Sequence, residues 1–195
     1  MGGKGEPAGI AAARIAVRVL TVGHSTRAID DFIALLQAHS VTRVVDVRTV
    51  PKSRRNPQFG QDVLPGSLGA AGIGYTHIAA LGGLRRPRPD SPNMGWRNES
   101  FRGYADHMQT PAFKNALEQL IALARNEQVA VMCAEAVPWR CHRSLIADAL
   151  LVRGIAAEDI ASPTRTKAHA LTSFARPRGT EIIYPKEGTG DLFTG

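Results

Sequence analysis

Short apolar runs alternate with amphipathic segments along most of this chain. Residues 17–22, Val-Arg-Val-Leu-Thr-Val, are β-rich, end at Gly23 and read as a buried strand. Ser25 or Thr26 then stands where a helix cap belongs, and Ile29, Phe32, Ile33, Leu35 and Leu36 recur on one helical face. Residues 41–47 predict a second strand with Asp46 and Arg48 at its end, and residues 72–78 a third by their β-branched and aromatic content. A short helix is expected over 101–108. Thr110 as N-cap and Pro111 in the first turn open a longer one, with Phe113, Leu117, Leu120, Ile121 and Ala124 at helical spacing. The unbroken apolar run 129–133 is what a central parallel strand shows. Cys141 or Ser144 opens a further helix that buries Leu145, Ile146, Ala149 and Leu150 and stops at Gly154. Residues 155–160 predict an edge strand and residues 181–184 a last one.

Strands alternating with helices predict an α/β fold: a mainly parallel open sheet of about five strands with helices on both faces. The expected organisation is a single domain over 18–185, between an N-terminal tail (1–17) and a C-terminal tail (186–195). Two irregular stretches interrupt the alternation, residues 49–72 and 81–100. Pro51, Pro57 and Pro65 break the first; Gly82, Gly83, Pro87, Pro89 and Pro92 break the second. Loops of this length in a domain are functional or disordered.

Charge changes the picture more than composition does. The 195 residues are 44% apolar, enough for one sizeable core, while 24 Lys+Arg against 17 Asp+Glu leave a net charge of +7. Such a surplus favours an anionic partner, either a phosphate-bearing small molecule or nucleic acid. Between residues 48 and 102 stand nine basic residues and three acids, so the surplus lies largely in the two irregular stretches. Phe59, Trp96, Phe101 and Tyr104 interleave with them and either stack on bases or cover the core beneath the loops. Two cysteines exclude a disulfide framework. Arg14 and Arg18 break the N-terminal apolar stretch, and no later run could span a bilayer, so a cytoplasmic protein with no membrane partner is expected.

In open parallel sheets ligands bind beyond the carboxyl ends of the strands. Four such ends carry polar groups: Gly23-His24-Ser25, Asp46-Val47-Arg48, His77, and Cys133-Ala134-Glu135. Cys141-His142-Arg143 opens the helix after the fourth. The candidate catalytic residues are His24, Asp46, Cys133, Glu135, Cys141 and His142, and the candidate anion-binding residues are Ser25, Arg48 and Arg143. Each alone has an ordinary structural account: Cys133 as a small hydrophobe, Asp46 paired with Arg48, Glu135 as a solvated loop residue, Arg143 paired internally. The set is what points to a site.

Three chemistries use these residue types: covalent catalysis by Cys133 or Cys141 with His24 or His142 as base, a zinc site drawn from Cys133, Cys141 and His142 with His24 as a further candidate, and metal-free acid–base work by Asp46, Glu135 and the histidines. The cysteine phosphatase signature needs arginine six residues after its cysteine, where Trp139 stands. Cys133-Ala134-Glu135 matches only the opening of the zinc deaminase signature, because Pro138-Trp139-Arg140-Cys141 lacks its second half. The pattern selects no cofactor and no oligomeric state.

The order of these segments resembles the family of prokaryotic α/β proteins catalogued as domain of unknown function 488. Thr21-Val22-Gly23-His24-Ser25, Asp46-Val47-Arg48 with Pro51 and Ser53, Pro57-Gln58-Phe59, Leu81-Gly82-Gly83 and residues 101–108 carry the resemblance. Its most distinctive piece is Met132-Cys133-Ala134-Glu135 with Pro138 and Cys141-His142-Arg143, followed later by His169. It spans residues 19–184 and implies a cytosolic α/β protein; the family's name assigns no activity, so it carries no catalytic role. The expected function is therefore a hydrolase or transferase acting on an anionic, phosphate-bearing substrate. The alternatives are a nucleic-acid-binding module and a zinc-stabilised interaction domain.

Overall fold

The computed structural model describes residues 17–52 and 54–186, and the expected tails fall outside it except for Val17 and Lys186. Within it, the pleat of the strands decides where every element sits. Val19, Val45, Val129 and Val131 point to one side of the sheet, and Leu20, Val22, Val44, Ala130 and Met132 to the other, so both faces are apolar and both must be covered.

The strands are β1 (Arg18–Gly23), β2 (Arg43–Asp46), β3 (Gly74–His77), β4 (Val129–Cys133), β5 (Ala156–Ser162) and β6 (Arg165–Ala168), in the order β3-β2-β4-β1-β5-β6. All neighbours are parallel except β5 and β6. Helices α1 (Ile29–Ala38) and α2 (Leu64–Ala70) cover one face through Phe32, Leu35, Leu36, Leu64 and Leu68. Helices α3 (Glu99–His107), α4 (Pro111–Ala124) and α5 (Arg143–Leu151) cover the other through Tyr104, Phe113, Leu117, Leu145 and Ile146. The α/β architecture with helices on both faces is the expected one, with six strands in place of about five.

Local departures have local causes. Thr110 caps α4 by accepting from the Phe113 amide, as expected. Neither Ser25 nor Thr26 caps α1; its N-cap is Ala28, and no side chain bonds it. Ser25 is instead held in the left-handed region (φ 52°) by the turn leaving β1. Strand β5 is not the edge, because Arg165-Thr-Lys-Ala adds antiparallel to it. That segment has solvent on both sides and so lacks the apolar alternation that marks a strand. The expected last strand is β8 (Glu181–Ile183), which pairs with β7 (Arg176–Arg178) in a separate two-stranded sheet.

A buried network ties this C-terminal part down. Asp148 of α5, fully buried, accepts from His169 Nε2 (2.8 Å), the Thr172 amide (3.1 Å) and the Tyr184 hydroxyl (2.9 Å). The Tyr184 amide donates to Asn93, whose own amide group donates to Asp106. Among the described residues no helix is long and apolar enough to cross a membrane.

Candidate functional site

Register brings the polar strand ends into one row. Gly23 lies opposite Cys133, and Asp46 lies between Met132 on one side and His77 on the other. The ladder continues past the strands: the His24 amide donates to the Cys133 carbonyl (3.0 Å) and the Ser25 amide to the Ala134 carbonyl (3.0 Å). This lacing needs Gly23, because a Cβ there would overlap the Glu135 carbonyl oxygen and stand 2.9 Å from Nη1 of Arg143.

The pleat then separates two groups. On the α1/α2 side, Arg48 donates from Nε to Asp46 Oδ1 (2.9 Å) and from Nη2 to Asp46 Oδ2 (2.6 Å) and the Phe59 carbonyl (2.8 Å). Tyr75 donates its hydroxyl to Asp46 Oδ2 (2.8 Å), and its pKa rises through burial and the neighbouring carboxylate. Nη1 of Arg48 donates to Nε2 of His24 (3.4 Å), and Nδ1 of His24 donates to the Ser25 carbonyl (2.8 Å). The His24 ring stacks on Phe59 at 4.1 Å. Burial lowers its pKa from 6.5 to about 4, its bond to Ser25 opposing and Arg48 assisting, so the ring is neutral. His77 donates to the Arg48 carbonyl (2.8 Å). Asp46 and His77 thus brace Arg48 and its loop.

On the α3/α5 side, buried Cys133 and Cys141 and half-buried His142 form a cluster, with the two sulfurs and one ring nitrogen all within 4.8 Å of one another. Both thiols are free. Nε2 of His142 lies 3.2 Å from the Val47 carbonyl and Nδ1 lies 3.8 Å from Sγ of Cys141. Burial lowers the His142 pKa to about 4. The neighbouring Cys141 thiol pulls the Cys133 pKa down against burial, with the charge of Arg143 assisting, while the Cys133 sulfur and burial push the Cys141 pKa up. These three side chains are the group able to hold a metal ion.

Both groups face one cleft of about 770 Å³. Of the candidate residues, His24, Ser25, Arg48, Cys133, Glu135, Cys141 and His142 line it. Asp46 and Arg143 do not. Arg143, 1% exposed, lies beneath the floor, where Nη1 donates to the carbonyls of Val22 (2.7 Å) and Glu135 (3.0 Å). It fastens the loops of β1 and β4 together from below, and its buried Nε has no partner among the described residues. Glu135, exposed, is the acid on the cleft wall.

Three basic residues of the cleft escaped the candidate set: Lys52, Arg55 and Arg140. With Arg48 they give the wall four cations against Glu135, and among the described residues Lys52, Arg55 and Arg140 form no ion pair. The first two belong to the basic loop already noted. Arg140 carried no signal beyond its place in the loop between Cys133 and Cys141. Of the interleaved aromatics, Phe59 and Tyr104 are buried and Trp96 packs on Phe101, Phe174 and Tyr184 over the core, while Phe101 and Tyr104 also border the cleft.

No curated protein and no solved structure matches the chain. A family model does match, over residues 28–150, which include Asp46, Arg48, both cysteines, Glu135 and the Cys141-His142-Arg143 triplet but not His24 or His169. That match covers more than half the sequence, and the chain belongs to the family described as domain of unknown function DUF488.

Proposed function

We propose that the cleft is the active site of an enzyme, a hydrolase or transferase, acting on an anionic, phosphate-bearing substrate. One observation carries the reading: a single cavity combines four cationic side chains on its walls with a sulfur–imidazole floor. Lys52, Arg55 and Arg140, exposed and free of ion pairs among the described residues, hold the anion. Nη1 of Arg48 sits behind them, its geometry fixed by Asp46 and His24. Asp46, His24 and Arg143 are positioning residues. The reacting centre lies at Cys133, Cys141 and His142, and Glu135 is the proton carrier on the wall. A reducing, cytoplasmic setting suits two thiols that must stay free. The nucleic-acid alternative would instead use the exposed ring of Trp139 beside Arg140, since Phe59 and Tyr104 are buried.

Inorganic pyrophosphate and a panel of phosphate esters test this. Pyrophosphate is expected to raise the melting temperature of the wild type, and the triple variant Lys52→Ala/Arg55→Ala/Arg140→Ala to abolish that rise. Glu135→Gln is expected to leave the rise intact and slow turnover of whichever ester is cleaved by about 10²-fold or more. A wild type indifferent to pyrophosphate, or a triple variant that responds as the wild type does, refutes the anion site.

A further inference from the structure

We propose that Cys133, Cys141 and His142 bind one zinc ion, with its fourth coordination position open to the cleft. Three independent features of the cluster lead there. The first is spacing. Zinc sits about 2.3 Å from sulfur and 2.0–2.1 Å from nitrogen, so a tetrahedral ion shared by a cysteine and a histidine sets their donor atoms about 3.6 Å apart. Sγ of Cys141 and Nδ1 of His142 are 3.8 Å apart, and Sγ of Cys133 completes a triangle with no side above 4.8 Å. Adjacent residues seldom aim at one point. Here Cys141 is extended (φ −128°, ψ 143°) and His142 already helical (φ −58°, ψ −12°), and that change of direction turns both side chains inward.

The second feature is the tautomer of His142. The Val47 carbonyl can only accept, so the ring proton is on Nε2, and Nδ1 presents its lone pair toward the sulfurs. A ligand histidine is normally fixed in this way, by donating its other nitrogen to a carbonyl. The third feature is the surroundings. Gly83 faces the metal-directed edge of the ring; a Cβ there would come within 3.0 Å of Nδ1. A divalent ion with two thiolates adds no net charge to the buried floor, whereas two bare thiolates would repel. Two sulfurs and one imidazole favour zinc over hard cations, which prefer oxygen. Three protein ligands with one side open to a substrate-sized cavity match catalytic zinc sites rather than closed structural ones. Employment of the ion as Lewis acid or source of metal-bound water rests on the enzyme reading above; its binding does not.

The test is metal analysis of the full-length chain after zinc reconstitution and gel filtration. About one zinc per chain is expected, with loss of essentially all of it in Cys133→Ser and in His142→Ala. Should either variant fail to fold, cobalt(II) added to the wild-type protein replaces the variant comparison. It is expected to give the intense visible bands of tetrahedral cobalt and a sulfur-to-cobalt charge-transfer band, both removed by added zinc. A wild type that retains no zinc and shows no such cobalt spectrum, or variants that keep full zinc, overturns the proposal. The pyrophosphate response is read on the same samples. Zinc without that response leaves the metal site standing and the anion reading fallen; the response without zinc does the reverse.

Discussion

Asp46, one of the six candidate catalytic residues, is enclosed by its own neighbours. Its side chain shares a strand face with Arg48 two positions on, and both its oxygens are taken by Arg48 and Tyr75. That Asp46 could pair with Arg48 was legible in their i,i+2 spacing at a strand end; that the Tyr75 hydroxyl and the Phe59 carbonyl would complete the enclosure depended on other segments. His107 offers a cleaner single-residue test, away from the cleft. Burial against Tyr104 and Phe113 lowers its pKa below 6.5, opposed by its bond to the Ala80 carbonyl, with Arg85 lowering it further. The unfolded chain therefore takes up this proton at higher pH than the folded one. The stability that the neutral ring contributes is complete above the unfolded value and is lost as pH falls from 6.5 toward the folded value. His107→Gln removes the titration and keeps a donor for the Ala80 carbonyl. The decline of melting temperature with acid between about pH 7 and pH 5 is expected to be shallower in that variant; an unchanged slope would show that His107 protonates equally in both states.

At the level of elements, the sequence announced those whose signals are local. Residues 129–133 form an unbroken apolar run, and β4 has those bounds. Thr110-Pro111 both caps and starts α4. What it concealed depends on partners. Strand β6 exists because β5 has an open edge, not because Arg165-Thr-Lys-Ala favours extension. The cleft-facing role of Arg140 depends on how the loop between β4 and α5 folds back, and that path is set by Gly23 and Arg143. Gly23→Ala is expected to cost about 1–3 kcal/mol, as over-packing does, because the new methyl group displaces the Glu135 carbonyl. Chemical denaturation measures the loss, and the pyrophosphate response should weaken in parallel as the loop moves off its floor. A variant as stable as wild type would mean that the β1 and β4 loops are not in the close contact seen here.

For the whole molecule, the site and the C-terminal region are separate commitments. The Asp148–His169–Tyr184 network joins α5 to the last strands, and none of its three members lines the cleft. Tyr184→Phe strips one partner from a buried carboxylate oxygen and is expected to cost about 1–3 kcal/mol. Zinc content and pyrophosphate response should be preserved, because the cleft residues keep their contacts. Equal loss of stability and cleft binding would show the two regions to be one cooperative support.

The strand order has a consequence for how the protein is made. β1 and β2 never touch; β4 lies between them and hydrogen-bonds to both. A ribosome releasing the chain from its N-terminus thus exposes two unmated sheet edges, β1 with α1 and β2 with β3, until residues 129–133 emerge to join them. The segment ending at Cys133 is the keystone of assembly as well as the base of the cleft, so the nascent protein cannot have one without the other.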